Sequence, residues 1–281
     1  MKRLYFYFTL LSVFLLGVSC DKMETTDPNP MFMPLINTWY NFVDAFTDQQ
    51  KIDDSCIKAW EAYKKDMPEL AYSHLEEILD YRQHWKPYAM RATIKYNMGE
   101  TNTESAMALH DYKQALELNR NKQTFRINED DSISYQLLYE RMCWCRILSS
   151  ADEKIIITIQ QGLLEFPESI ELTNVMSLAY TKTGDFSLAE KWAKKVLEKD
   201  AGIGYFCLAY LASEQDRHQE SIKYYEKCLE LNPNSSSVKN NLALQYREVG
   251  RTHDALTLFR EAAQDGEKYS QNWLKRNGYT W

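Results

Sequence analysis

The side chains of this chain that are able to do chemistry are its cysteines, its histidines and one acidic run. Cys143-Trp144-Cys145 places two thiols two residues apart, and on a helix that spacing turns them to different faces. A zinc site would need further ligands close by, and the sequence offers none. His74, His84, His110, His218 and His253 are scattered, and His74-Leu75-Glu76-Glu77 lacks the second histidine that a zinc-protease helix carries one turn later. The run Asn128-Glu129-Asp130-Asp131-Ser132 is rich in oxygen ligands. A calcium loop also needs ligands at alternate positions and a glycine at its sharp turn, and both are missing. The plainer reading is a solvated loop that ends in a helix N-cap at Asp131 or Ser132. There is no glycine-rich phosphate loop, no nucleophile elbow and no carboxylate pair set apart by environment. No catalytic residue, metal or cofactor is assigned, and a non-enzymatic protein is expected.

The start of the chain carries a different kind of site. Lys2 and Arg3 precede an apolar run from Leu4 to Val18, after which small residues lead to Cys20. This is the pattern of a targeting segment, not of a helix that spans a membrane in the mature protein. Its ending resembles a bacterial lipoprotein signal, with Gly17 where that family prefers an aliphatic residue and Leu16 one place earlier. The resemblance implies cleavage after residue 19 and acylation of Cys20, which would hold the protein on a membrane by its acyl chains (palmitate being a common one). An ordinary secretory signal with an incidental cysteine is the alternative. Residues 20–33 are polar with two prolines and read as a flexible tether. With Cys20 lipidated, Cys56, Cys143, Cys145, Cys207 and Cys228 remain, an odd number, so at least one is unpaired in a monomer.

Composition bounds the rest. A chain of 281 residues with 44% apolar side chains can bury a sizeable core. Removing 1–19 leaves 31 basic against 40 acidic residues, a net charge of −9. No basic stripe is present, so nucleic-acid binding is not expected.

The elements that would position these residues are helices in pairs. Leu242, Ala243, Tyr246, Gly250, Ala255, Phe259 and Ala262 recur at the offsets of Met176, Ser177, Tyr180, Gly184, Ala189, Ala193 and Val196. Apolar residues at helical spacing make one buried stripe per helix, small residues mark close approach, and Gly or Asp permits the turn between helices. These residues resemble the tetratricopeptide repeat, a helix–turn–helix unit of about 34 residues. The resemblance implies an all-α solenoid, a right-handed superhelix of about six degenerate repeats with terminal capping helices. Residues 34–120 would hold an N-terminal helix, around 35–46, and two repeats, the first beginning at Ile52. The turn of the second repeat, 99–105, looks about three residues longer than the family pattern. Residues 121–135 would form a loop or hinge, 136–267 four more repeats, and 268–281 a capping helix. Cys143 and Cys228 fall where the family has Gly or Ala, which fits small buried hydrophobes.

In that family the first helices of successive repeats line a concave groove. The offsets that face it fall here on Trp60, Tyr63, Met90, Ile94, Trp144, Leu148, Asn174, Leu178, Phe206, Tyr210, Asn240, Leu244 and Arg247. Large apolar and aromatic side chains of this kind anchor protein interfaces. Some members grip the C-terminal carboxylate of chaperones through paired Lys and Asn. Here Asn174 and Asn240 are followed four residues later by Leu178 and Leu244, so that activity is not implied. The expected function is a lipid-anchored scaffold in the bacterial cell envelope, outer-membrane and facing the periplasm or the surface, that binds a protein or peptide partner. Its plan is similar to the repeat lipoprotein of the outer-membrane barrel-assembly machinery, which suggests envelope assembly. The alternative is a glycan-binding lipoprotein of a polysaccharide-uptake system.

Overall fold

The computed structural model of the chain describes residues 33–81, 84–98, 102–149 and 153–281. The expected targeting segment, Cys20 and the expected tether up to residue 32 lie outside the described residues. Two compact units divide the chain, 1–54 and 55–281. The described residues form thirteen helices and one small hairpin: α1 (Met33–Lys64), α2 (Pro68–Tyr81), α3 (Trp85–Met98), α4 (Asn102–Leu118), β1 (Phe125–Arg126), β2 (Ser132–Ile133), α5 (Tyr135–Ser149), α6 (Glu153–Glu165), α7 (Ile170–Thr183), α8 (Phe186–Lys199), α9 (Ala201–Glu214), α10 (His218–Leu231), α11 (Ser236–Glu248), α12 (Thr252–Gln264) and α13 (Lys268–Arg276).

Within 55–281 each helix packs on the next, from α2 on α3 to α12 on α13. First helices of neighbouring pairs also touch, α3 with α5, α5 with α7 and α7 with α9, so they form one continuous face. The turn within a pair is set by one backbone position that must be left-handed. Gly184 (φ 83) and Gly250 (φ 78) occupy it in the fourth and sixth pairs, and Asp66 (φ 59) and Asp216 (φ 56) in the first and fifth. Glycine has no Cβ to clash there, and Asp is among the few side chains that tolerate the conformation. The next residue closes the helix end by bonding back, Met67 N–H to Ala62 O at 3.0 Å and Arg251 N–H to Tyr246 O at 2.8 Å.

The close approach of paired helices depends on two small residues that face each other. In the sixth pair these are Ala243 and Ala255, both buried. Where serine replaces one of them, its hydroxyl is satisfied by the other's backbone. Ser177 donates to Ala189 O at 3.0 Å, and Ser221 donates to Ala209 O at 2.8 Å. A buried hydroxyl is tolerated because it has this partner. Around the last pairs Tyr225, Leu242, Phe259 and Leu274 share one core, and Trp273 of α13 stacks on Phe259 at 4.3 Å between ring centroids. The capping helix therefore covers the apolar end of the last repeat.

Several expectations are corrected. Residues 33–64 form one helix, where a separate end helix at 35–46 and a repeat helix from Ile52 were expected. The turn before α4 is shorter than 99–105, because Asn102 already starts the helix. Segment 121–134 is not a bare loop: β1 and β2 pair antiparallel, Phe125 opposite Ile133 and Arg126 opposite Ser132. Its entry is braced by buried Asn119, whose amide accepts from Gln123 N at 2.8 Å and donates to Gln123 O at 2.9 Å. The N-cap of α5 is Ser134, whose hydroxyl accepts from Leu137 N at 3.0 Å, not Asp131 or Ser132. Cys143, Cys145, Cys207 and Cys228 are all buried and form no disulfide. Burial pushes each of these four thiols up to about 12, so they stay protonated and act as small core side chains.

Candidate partner-binding face

The expected contact residues lie on the first helices of the pairs, and exposure separates them. Met90 and Ile94 of α3 are 0% exposed and so are core, a correction to their expected place in an open groove. Asn174 and Asn240 are buried as well. Asn174 Oδ1 accepts from the Cys207 thiol at 3.0 Å, and Asn240 Oδ1 accepts from Ser270 Oγ at 2.8 Å. Each therefore ties its helix to a later one. Leu178 is buried too.

The contact residues left on α5, α9 and α11 reach solvent to different degrees. Leu148 is 44% exposed, while Trp144, Phe206, Tyr210 and Leu244 are half-buried, and Arg247 is exposed and paired with Glu248 at 2.7 Å. Phe206 packs edge-on to the core ring of Tyr225 at 5.8 Å, so part of its area belongs to the fold. Burial, with Glu214 beside it, pushes the Tyr210 hydroxyl up to about 12. Trp144 donates its indole N–H to Glu171 Oε2 at 3.1 Å. That bond fixes the angle of the ring, and the residue stays half-buried. Sequence reasoning passed over Glu171, although it stands at the second position of the fourth pair's first helix, within reach of the preceding helix.

Trp60 and Tyr63 sit on α1, with ring centroids 5.4 Å apart, Trp60 buried and Tyr63 half-buried. The Trp60 indole donates to Asp131 Oδ2 at 2.8 Å, and Lys64 Nζ reaches the same oxygen at 2.6 Å. Hydrogen bonds from Lys64, Trp60 and Asn128 hold the Asp131 carboxyl down at about 2. Asp131 was read as a candidate N-cap, and sequence alone carries no signal that it joins residues this far apart in the chain. Among the described residues no group of three or more His, Cys, Asp or Glu side chains could hold a metal ion.

The tetratricopeptide repeat family matches residues 203–235 and again 224–257. Residues 203–257 therefore carry tetratricopeptide repeat sequence. A solved tetratricopeptide repeat protein from Parabacteroides merdae superposes with a TM-score of 0.54 at 17% identity, covering 77% of this chain and 80% of that one. PilW, a type IV pilus biogenesis factor, superposes with a TM-score of 0.53 at 15% identity over 74% of this chain and 90% of its own. At such identities the likeness shows the fold alone, an all-α tetratricopeptide-like solenoid. In sequence, the TPR repeat-containing protein PA4667 of Pseudomonas aeruginosa is 30% identical over 116 residues, 40% of this chain. The chain spans only 8% and 20% of the lengths of the curated relatives it matches.

Proposed function

We propose that this chain is a non-enzymatic scaffold that binds a protein or peptide partner on its first-helix face. The observation that carries the reading is the set of large side chains that keep solvent exposure on the first helices: exposed Leu148 and half-buried Trp144, Tyr210 and Leu244, on α5, α9 and α11. Apolar and aromatic area left in water costs free energy unless it is covered, and rigid aromatics lose little entropy on contact. Trp144→Ala combined with Tyr210→Ala should weaken binding by about 2 kcal/mol or more, roughly thirtyfold, because central aromatic anchors dominate such interfaces. The partner is first captured by crosslinking in cells and identified by mass spectrometry. Undiminished capture by the folded double variant would place the binding surface elsewhere.

The setting we propose is the bacterial cell envelope, with the chain held at the membrane by acyl groups on Cys20. This rests on the basic start, the apolar run and the small residues before that cysteine. Cys20→Ala should abolish incorporation of labelled fatty acid and release the protein from the membrane fraction. Equal labelling of the variant and the parent protein rules out the anchor.

A further inference from the structure

Trp60 and Trp144 occupy the same offset in the first and third helix pairs, yet their indole N–H groups find acceptors of different origin. Trp144 uses Glu171, the second residue of the next pair's first helix. In the second pair neither Lys86 nor Pro87, the second and third residues of α3, offers a side-chain acceptor, and Trp60 bonds instead to Asp131. The segment that brings Asp131 there is foreign to the repeat. Later junctions between pairs take four residues (166–169), one (Asp200) and four (232–235), whereas α4 and α5 are separated by residues 119–134. These residues turn back over two pairs and touch the first helices of both. Asp131 meets Trp60 and Lys64 on α1, and the Phe125 ring lies under Lys86 of α3 at 4.7 Å.

The hairpin is two-faced. Phe125, Ile127 and Ile133 are buried while Arg126, Asn128 and Ser132 are exposed, the alternation of a strand with one covered side. On α3, which the segment touches at Lys86, Met90 and Ile94 are fully buried, whereas Phe206 and Tyr210 at the same offsets of the fifth pair are half-buried. The tip is organised for its contact: Asn128 Oδ1 accepts from the N–H groups of Asp130 and Asp131, and Asn128 Nδ2 donates to Asp131 Oδ2 at 3.0 Å. The carboxylate that reaches α1 is thus pre-oriented from within the turn.

We propose that hairpin 125–133 is a ligand held in cis: it occupies the first-helix face of the first two pairs. That section therefore recognises an extended segment with apolar side chains on one side and a carboxylate at its tip. A partner of that chemistry enters only when the hairpin leaves, and the section from α5 onward stays open. The inference rests on the first-helix face being the binding surface, and it names what its N-terminal section selects.

The test needs no outside partner. In the full chain, residues 124–132 are replaced by an equal length of Gly and Ser, and a labelled synthetic peptide of residues 121–134 is added while anisotropy is read. Saturable binding to the replaced chain is expected, with binding to the intact chain at least about tenfold weaker because the site is filled. A peptide carrying Asp131→Asn should bind about tenfold more weakly, the scale of one charge-assisted hydrogen bond. Equal binding to the intact chain, or none to a replaced chain that keeps its helicity, overturns the proposal. Should the replaced chain not fold, hydrogen exchange of the full chain carrying Asp131→Asn decides. Faster exchange confined to 125–133 supports an exchangeable occupant. Unchanged exchange there, or parallel loss of protection in α3, makes the hairpin a fixed part of the fold. Such a failure leaves capture through Trp144 and Tyr210 untouched, so the two readings fall separately.

Discussion

Asp111→Ala should lower the stability of unit 55–281 by about 3 kcal/mol or more, the largest loss expected from any single charged residue here. Asp111 is 1% exposed on α4 and accepts from Arg91 Nε at 2.9 Å and from Arg91 Nη2 at 2.8 Å, a bidentate pair. Lys95 Nζ bonds to the same carboxylate at 2.9 Å. Arg91 and Lys95 are one turn apart on α3, so one buried carboxylate neutralises two cations that would otherwise repel each other. The hydrogen bonds to Asp111 raise the pKa of Arg91; without them the guanidinium is still charged, because arginine is protonated at any physiological pH, and it must find water or distort α3. The effect is read as a shift of the urea midpoint, with Lys95→Met as a milder companion because Asp111 keeps Arg91. If the midpoint for Asp111→Ala stays within about 0.5 kcal/mol of the parent, the cluster contributes nothing net.

Gly204→Ala should cost about 2–3 kcal/mol, an unusual penalty for one methyl group. A Cβ at Gly204 would stand 2.3 Å from Leu197 Cα and 2.6 Å from Leu197 N. Both are backbone atoms, so no rotamer change relieves the overlap, and α8 and α9 have to move apart. Gly202→Ala, two residues earlier on the same helix, is the control. Its nearest neighbour would be Asp200 Oδ1 at 3.4 Å, and Ala is the better helix former by about 1 kcal/mol. The two substitutions should therefore shift the thermal midpoint in opposite directions. Equal and small shifts for both would mean that the helices are not packed as closely as the geometry requires.

The sequence by itself determined the parts of the fold that repeat. Gly184, Gly250, Asp66 and Asp216 stand where the backbone must be left-handed, and few residue types allow that, so composition at that offset reports geometry directly. Ala243 with Ala255, and Ser177 with Ala189, mark close approach for an equally local reason: only small side chains fit between paired helices. Exposure along the first-helix face is another matter. Met90 and Phe206 share one offset, yet one is buried and the other half-buried, because burial depends on tertiary packing that no local spacing reports. Segment 121–134 breaks the repeat, so its periodicity could say only that the register was lost. That Asp131 would bridge Trp60 and Lys64 was decided by tertiary structure, since a contact between residues about 70 apart leaves no spacing for a sequence to display.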